Sequence, residues 1–594
     1  MSEYAHDMEE NTMKRTRFAV AMSAVFTSAL LLLLPLGGSG CSVGSKDQGR
    51  SPEPAPVPEK LLSMSLDAGS PGLEKMRAVA SRMAQPPQGE RDEPSGSPNA
   101  EQYDRIDENP FLTVAGYPLS TFSIDVDTAS YSNVRRFLRQ GQLPPPYAVR
   151  LEELVNYFDY DYPEPEGGAP FSATVEAASC PWNRDHRLVR IGLKGRVIPT
   201  EQRPPANLVF LLDVSGSMKA PNRLPLLKTA LKMLVNNLNK QDRVAIVVYA
   251  GASGLVLPST ACDNSQAILE ALENLVAGGS TDAGSGIELA YQVARENFLQ
   301  IGTNRVILAT DGDFNVGITN RGDLKRLIEE KARSGVFLTV LGFGMGNLKD
   351  ATLEELADHG NGSYAFIDDA AEARKVFVEQ IGGTLVTIAK DVKIQVEFNP
   401  ETVAGYRLLG YENRILRSED FNDDTKDAGE VGAGHTVTAL YEVVPAGFEV
   451  SSAGSVDPLT FQKPAAPSGA ADTNDMVLVK LRYKDPTADT SQLLSWKVRD
   501  LPRQVEAASG DFRFAAAVAG FGMLLRESRY RGTASFDSVE ELARGARGQD
   551  PHGYRSELVE LVRLAKSLSG GTGAAAAAGA GGAGGAGGAA PGGN

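Results

Sequence analysis

Histidine and cysteine are scarce in this chain of 594 residues. Its five histidines, His6, His186, His359, His435 and His552, are scattered. No Cys/His cluster with zinc spacing can be assembled from them, and a histidine-centred triad has few candidates. The three cysteines, Cys41, Cys180 and Cys262, are too few for a disulfide scaffold. Basic charge is in deficit, with 59 Lys+Arg against 75 Asp+Glu and a net charge of −16. That balance argues against a dedicated nucleic-acid binder. No P-loop and no nucleophile elbow is present. The apolar run 512–525 is too short for a membrane span and contains Arg513, so it reads as core. Apolar side chains are not lacking: 42% of residues are hydrophobic, ample for sizeable cores, and the length suggests about three or four domains.

The N-terminus reads as a targeting segment. Basic residues 14–17 precede an apolar stretch from Phe18 to Leu34, then the small residues 37–40, then Cys41. This order resembles the lipobox of bacterial lipoproteins, in which the cysteine carries the lipid after cleavage. Gly38 stands where that pattern prefers Leu. The alternative is an uncleaved membrane anchor; in either case the remainder lies outside the cytoplasm, tethered to a bacterial cell envelope and facing periplasm or exterior. The acidic stretch ahead of Met13 is unlike a signal, so translation is expected to start at Met13 instead of Met1. Residues 42–100, rich in Pro, Ser and Gly, form an extended spacer, and the Gly/Ala stretch 569–594 a flexible tail.

The folded middle has three parts. Residues 101–200 contain a strand at 122–128, helices at 130–140 and 150–157, and strands at 172–178 and 187–193. Residues 207–380 alternate strands and helices, starting with the continuous apolar run 208–212, as befits a strand buried on both faces. That alternation predicts an α/β class domain, a doubly wound, mostly parallel sheet. Residues 383–568 open with period-two alternation at 392–398 and 477–483, which predicts half-exposed antiparallel strands, and close with helices at 512–526, 538–544 and 554–567. Isolated strand pairs are marginal in water, so the strands before and after the α/β segment are expected to join in one sandwich around an inserted domain.

The first apolar strand of the α/β segment runs into Asp213-Val-Ser-Gly-Ser217. Loops past the carboxyl ends of such strands form the ligand crevice of a doubly wound sheet. A second loop carries Thr281 just before a helix, and a third, Thr310-Asp311-Gly312, ends a later strand. Two carboxylates and three hydroxyls on three loops suit a hard cation such as Mg²⁺, and neither zinc nor copper.

Asp213-x-Ser215-x-Ser217, Thr281 and Asp311 resemble the metal-ion-dependent adhesion site of von Willebrand factor type A (VWA) domains. The flanks are similar to those of bacterial A-domain lipoproteins, with an N-terminal region, here Phe122-Ser-Ile-Asp-Val-Asp-Thr-Ala-Ser-Tyr131, and a C-terminal companion domain of unassigned function. The resemblance implies that Ser215, Ser217 and Thr281 coordinate Mg²⁺ (or Mn²⁺ or Ca²⁺) through hydroxyls, with Asp213 and Asp311 acting directly or through water. A partner protein's Asp or Glu carboxylate would complete the coordination. The implied function is non-enzymatic adhesion; a metal-dependent hydrolase or phosphatase using the same oxygens, and a metal-free structural component, stand as alternatives.

Other residues have competing readings. Asp125-Val-Asp127-Thr128 is similar to the nucleophile loop of haloacid-dehalogenase-type phosphatases, with Asp311-Gly-Asp313 as the later metal loop, but the Gly-Thr that should follow the second Asp is missing. Asp125 and Asp127 are expected to be solvated or capping carboxylates at a strand end. Lys219 is the nearest candidate base and is expected to open the following turn; Asp313 and Asn315 read as turn residues. His359-Gly360 reads as a helix stop, with the dipole favouring the charged imidazole. Cys180 and Cys262 could bridge two domains or be buried thiols, with the second slightly favoured.

Overall fold

The computed structural model describes residues 101–250, 253–278, 284–312, 321–345, 348–450, 475–499 and 503–580. Cys41 and Thr281 therefore lie outside the described residues, as do the proposed spacer, the Gly/Ala tail from 581 onward, Asp313 and Asn315.

In chain order the first part holds β1 (Leu112–Thr113), β2 (Leu119–Ser123), α1 (Ala129–Arg139), α2 (Leu151–Asn156), β3 (Phe171–Cys180) and β4 (Asn183–Gly195). The middle part holds β5 (Ala206–Asp213), α3 (Leu224–Asn236), β6 (Arg243–Tyr249), β7 (Ser253–Ala261), α4 (Ser265–Glu273), α5 (Gly284–Glu296), β8 (Thr303–Thr310), α6 (Arg321–Ala332), β9 (Phe337–Phe343), α7 (Asp350–His359), β10 (Tyr364–Ile367), α8 (Ala370–Arg374) and α9 (Ile381–Leu385). The last part holds β11 (Thr387–Phe398), β12 (Val403–Leu409), β13 (Gly429–Gly432), β14 (Thr436–Pro445), β15 (Asp475–Lys484), β16 (Gln492–Arg499), α10 (Gly510–Leu525), α11 (Phe536–Gly545) and α12 (Tyr554–Ala580).

The middle sheet runs β10-β9-β8-β5-β6-β7. β5 is parallel to both β6 and β8, and every residue of it is buried, which explains its uninterrupted apolar run. Leu208, Phe210 and Leu212 pack on one face with Leu227, Leu231 and Leu272; Val209 and Leu211 pack on the other with Ile287 and Ile328. The fold class is therefore α/β, with helices on both faces of a mostly parallel sheet. β7 is the exception: it pairs antiparallel with β6 at the edge. Its Gly254 and Pro258 hid it in the sequence, since Pro is tolerated on an edge strand but is a poor strand signal.

Two further sheets flank this layer, β1-β12-β14-β4-β3 and β13-β11-β15-β16, with β2 also paired to β11. β4 precedes the α/β segment and β14 follows it, and they are antiparallel neighbours. Strands from both sides thus share one sheet, the inserted arrangement that the alternation suggested. Both sheets contribute to one core, with Ile191 and Tyr441 from one and Ile394 and Val479 from the other. Phe398 stacks on Tyr406 with ring centroids 3.9 Å apart.

The alternation on β11 places the right residues on one face but misjudges the other. Lys393 and Gln395 are buried, not half-exposed. The turn Ser418–Asn422 covers them: Lys393 Nζ donates to Asp423 O at 2.6 Å and Gln395 Nε2 to Ser418 O at 3.2 Å.

The outer face of the β4–β14 sheet carries a second core made by α1, α2 and the C-terminal helices. α10 is buried almost all round, starting at Ser509, whose side chain accepts from Phe512 N at 3.1 Å. It is a core helix; among the described residues no helix is long and apolar enough to cross a membrane.

Candidate metal centre

β5 delivers Asp213 and β8 delivers Thr310-Asp311 to the same end of the sheet, since the two strands run parallel in register, Leu212 beside Ala309. The chain folds back at once: Ser215 N donates to Asp213 Oδ1 at 2.8 Å, and the turn Gly216–Lys219 brings Ser217 Oγ to 2.9 Å from Ser215 Oγ. Thr310 Oγ1 donates to the other oxygen of Asp213 at 3.3 Å and accepts from Gly312 N at 3.2 Å. Gly312 has φ +90°, a value that suits glycine. Gly278 N donates to Val214 O at 2.7 Å, so the loop leading to Thr281 starts beside the Asp213 loop.

Asp213 and Asp311 are both fully buried. Burial pushes the Asp213 carboxyl up to about 6, against the hydrogen bonds from Ser215 and with the nearby charge of Asp311 adding to the rise. Arg223, a residue the sequence reading passed over, serves Asp311: its Nη1 lies 2.6 Å from Asp311 Oδ2 and 2.8 Å from Ser217 O, while Nη2 donates to Met345 O at 2.7 Å. Gly344, at φ +85°, makes room, because a Cβ there would come within 2.4 Å of Arg223 Nε. Lys219 is exposed, consistent with its place in a turn.

Asp125 and Asp127 belong to a different centre. They are buried rather than solvated. Asp125 Oδ1 accepts from Asp127 N at 2.9 Å, and Asp127 Oδ1 from Tyr364 N at 2.8 Å, so both do cap backbone. Arg414 Nη2 lies 3.1 Å from Asp125 Oδ2, and its Nη1 2.6 Å from Asp358 Oδ2. Arg150 Nη1 reaches Glu153 and Asp350, each at 2.9 Å, and its Nη2 reaches Glu354 at 2.5 Å. These pairs join the N-terminal part, α7 and the C-terminal part. Beside them Glu152, 2% exposed, has a buried Oε2 that accepts no hydrogen bond. Burial, with the charges of Glu412, Asp125 and Glu153, pushes its carboxyl up to about 8. Asp127 is tied to the start of β10 whereas Asp311 follows the end of β8, so Asp125 and Asp311 belong to different hydrogen-bonding groups, which speaks against a shared phosphatase site.

His359 ends α7, with Nδ1 3.2 Å from Glu329 Oε1. Its pKa is lowered, chiefly by burial and then by Lys325, which outweighs the helix dipole invoked from the sequence. Cys180 and Cys262 are buried and free.

Three segments of the chain match known families: 97–190 matches von Willebrand factor, 207–380 the von Willebrand factor type A domain, and 383–568 the C-terminal region of the uncharacterized protein YfbK. YfbK of Escherichia coli (strain K12), itself uncharacterized, is 43% identical over 470 residues, which span 78% of this chain and 80% of that protein. The uncharacterized protein sll0103 of Synechocystis is 30% identical over 194 residues, 32% of this chain and 44% of that protein. Among solved structures, a von Willebrand factor type A protein from Catenulispora acidiphila aligns over 68% of this chain and 91% of its own, at 17% identity and a TM-score of 0.37. With a type A domain set between the flanking regions that YfbK also has, the chain belongs to the YfbK family of VWA-domain proteins.

Proposed function

We propose that the chain is a non-enzymatic VWA protein of the bacterial cell envelope, anchored through a lipid on Cys41. It would bind a partner protein through a divalent cation held by Asp213, Ser215, Ser217, Thr281 and Asp311. The observation that carries this reading is the convergence of Asp213, Ser215, Ser217 and Asp311 at one end of the sheet, with two hydroxyls 2.9 Å apart beside two buried carboxylates. The donor set fits the ion: all are hard oxygens, and neutral hydroxyls leave much of a cation's charge unquenched. Arg223 already pairs with Asp311, so the guanidinium and an ion would share that carboxylate.

A bound Mg²⁺ would supply an electrophilic coordination position for a carboxylate of the partner. The residues of the chain supply the rest. Asp213 orders its own loop by accepting from Ser215 N, and Thr310 fixes the second carboxylate oxygen. Among the described side chains around Asp213, the two carboxylates are assigned as ligands and Asp311 is also paired with Arg223, so neither is left over as a general base, which favours binding over hydrolysis.

The test is thermal unfolding of the full chain in Mg²⁺ and in EDTA. Mg²⁺ is expected to raise the Tm, as any native-state ligand does, and Asp213→Ala to remove that rise while leaving the fold intact. A wild-type Tm indifferent to Mg²⁺, Mn²⁺ and EDTA would sink the reading. Where the ion is confirmed, capture of a membrane partner with Mg²⁺, lost in EDTA and in Asp213→Ala, tests the adhesive role.

A further inference from the structure

Two guanidiniums, Arg150 and Arg414, face six carboxylates at the junction of α2, α7 and the C-terminal part. Glu152 is a seventh, and its Oε2 is buried without a hydrogen bond. Leaving a buried carboxylate oxygen unpaired is costly, so an orphan among surplus negative charge points to a missing positive one. Within the group, Asp125, Glu153 and Glu354 each turn an oxygen to within 4.8 Å of the other two.

That grouping is close enough for the three oxygens to share one ion. Ca²⁺ takes about six to eight oxygen ligands in flexible geometry, whereas Mg²⁺ demands near-ideal octahedral geometry, so an irregular set of carboxylates already held by guanidiniums suits Ca²⁺ better. Each carboxylate has more lone pairs than its guanidinium partner uses, so Asp125, Glu153 and Glu354 can accept an ion without releasing Arg150 or Arg414. Access exists on two sides. A cavity of about 280 Å³ is lined by Asp125 and Asp358, and one of about 730 Å³ by Glu152, Glu354 and, again, Asp358.

We propose that Asp125, Glu153 and Glu354, with Glu152 beside them, form a second divalent-cation site, suited to Ca²⁺ and separate from the Asp213 loop. The ion would hold the α/β segment, through Glu354, against the N-terminal part, through Asp125 and Glu153. This site shares no ligand with the adhesion site and stands or falls independently of it.

The experiment uses the full chain carrying Asp213→Ala, so that the first site is disabled, with Ca²⁺ as the probe. Calorimetry is expected to show about one Ca²⁺ bound, with a Tm higher in Ca²⁺ than in EDTA. On this background Glu354→Gln is expected to weaken Ca²⁺ binding by about tenfold or more, as loss of a charged ligand should. Because Glu354 also pairs with Arg150, Glu152→Gln is the second variant. It removes a carboxyl whose Oε2 accepts no hydrogen bond, should leave the Tm in EDTA unchanged or higher, and should still weaken Ca²⁺ binding several-fold. The proposal is overturned if the Asp213→Ala chain shows neither Ca²⁺ heat nor a Ca²⁺-dependent Tm, in which case the cluster is an ion-pair staple alone. It is equally overturned if Glu152→Gln and every folded Glu354→Gln sample bind Ca²⁺ as the parent does.

Discussion

Arg223 and Asp311 form an ion pair, Nη1 to Oδ2 at 2.6 Å, in which the carboxylate is fully buried and the guanidinium nearly so. They sit on different loops, one after the first strand of the α/β segment and one after β8, and neither sequence neighbourhood announces the other. The pair neutralises a carboxylate that the adhesion-site reading assigns to a metal. On that reading guanidinium and ion would serve the same charge.

Arg223→Ala is accordingly expected to destabilise the chain in EDTA by about 3 kcal/mol, the order found when one partner of a buried pair is removed. Part of that loss should return with Mg²⁺, so the Mg²⁺-induced rise in Tm should exceed that of the wild type. Equal rises in the two proteins would show that the guanidinium and the ion do not share Asp311.

Lys375 gives a pH signature. It is 1% exposed, donates from Nζ to Tyr157 O, and lies over the Tyr157 ring. Burial pulls its pKa down to about 8, against the charge of Glu372. A lysine whose folded pKa is below its unfolded value costs stability while charged, and the cost lifts as pH rises above the folded pKa. Relative to Lys375→Met, the wild type should gain stability between pH 8 and pH 10, by about 1.4 kcal/mol per unit at most. Urea midpoints of both proteins at pH 7, 8.5 and 10 check this; a constant difference across the range contradicts it.

Both described thiols should be inert. Burial raises Cys180 well above the ordinary thiol range and pushes Cys262 up to about 12, so little thiolate forms at pH 8. A thiol reagent at pH 8 is expected to label neither in the native chain and both in guanidinium chloride. Reducing agent should leave the Tm unchanged. Fast labelling of the native chain would show that one of these sites opens readily.

Lipidation of Cys41 predicts a third count: two free thiols, not three, in the mature chain. Peptide mass spectrometry should find no peptide crossing Gly40–Cys41. Its recovery from mature protein would place the chain among anchored or untethered proteins instead.

The sequence made some of this legible because the signal was local. The apolar run of β5, the Asp213-x-Ser215-x-Ser217 loop attached to it and the Thr310-Asp311-Gly312 turn that ends β8 each contain their own information: a strand buried on both faces, then the loop that carries the candidate ligands. Apolar periodicity likewise placed α10, α11 and α12. What failed was information held in a distant partner. Asp125 looks like any strand-end carboxylate until Arg414 arrives from the far side of the inserted segment. Lys393 alternates as a solvent-facing residue should, and only the fold of the Ser418–Asn422 turn buries it. Arg223 drew no reading at all, because nothing near it in the chain marks Asp311 as its target.

The pairing of β4 with β14 has a kinetic consequence. Strands that must wait for the whole intervening segment form contacts of high order, the kind that slow folding. Lengthening such a loop adds only about 0.6 kcal/mol per doubling, yet the closure must be complete before any pairing rewards it. The two ends of the inserted segment lie together, since Gly434 N donates to Arg196 O and Ala433 N to Val386 O. An α/β segment that folds first thus carries its own ends into register and turns a remote pairing into a near one. The nucleus of the sandwich is then the domain inserted into it, and substitutions that weaken the packing of Leu208 or Phe210 should slow the pairing of β4 with β14, strands to which neither residue belongs.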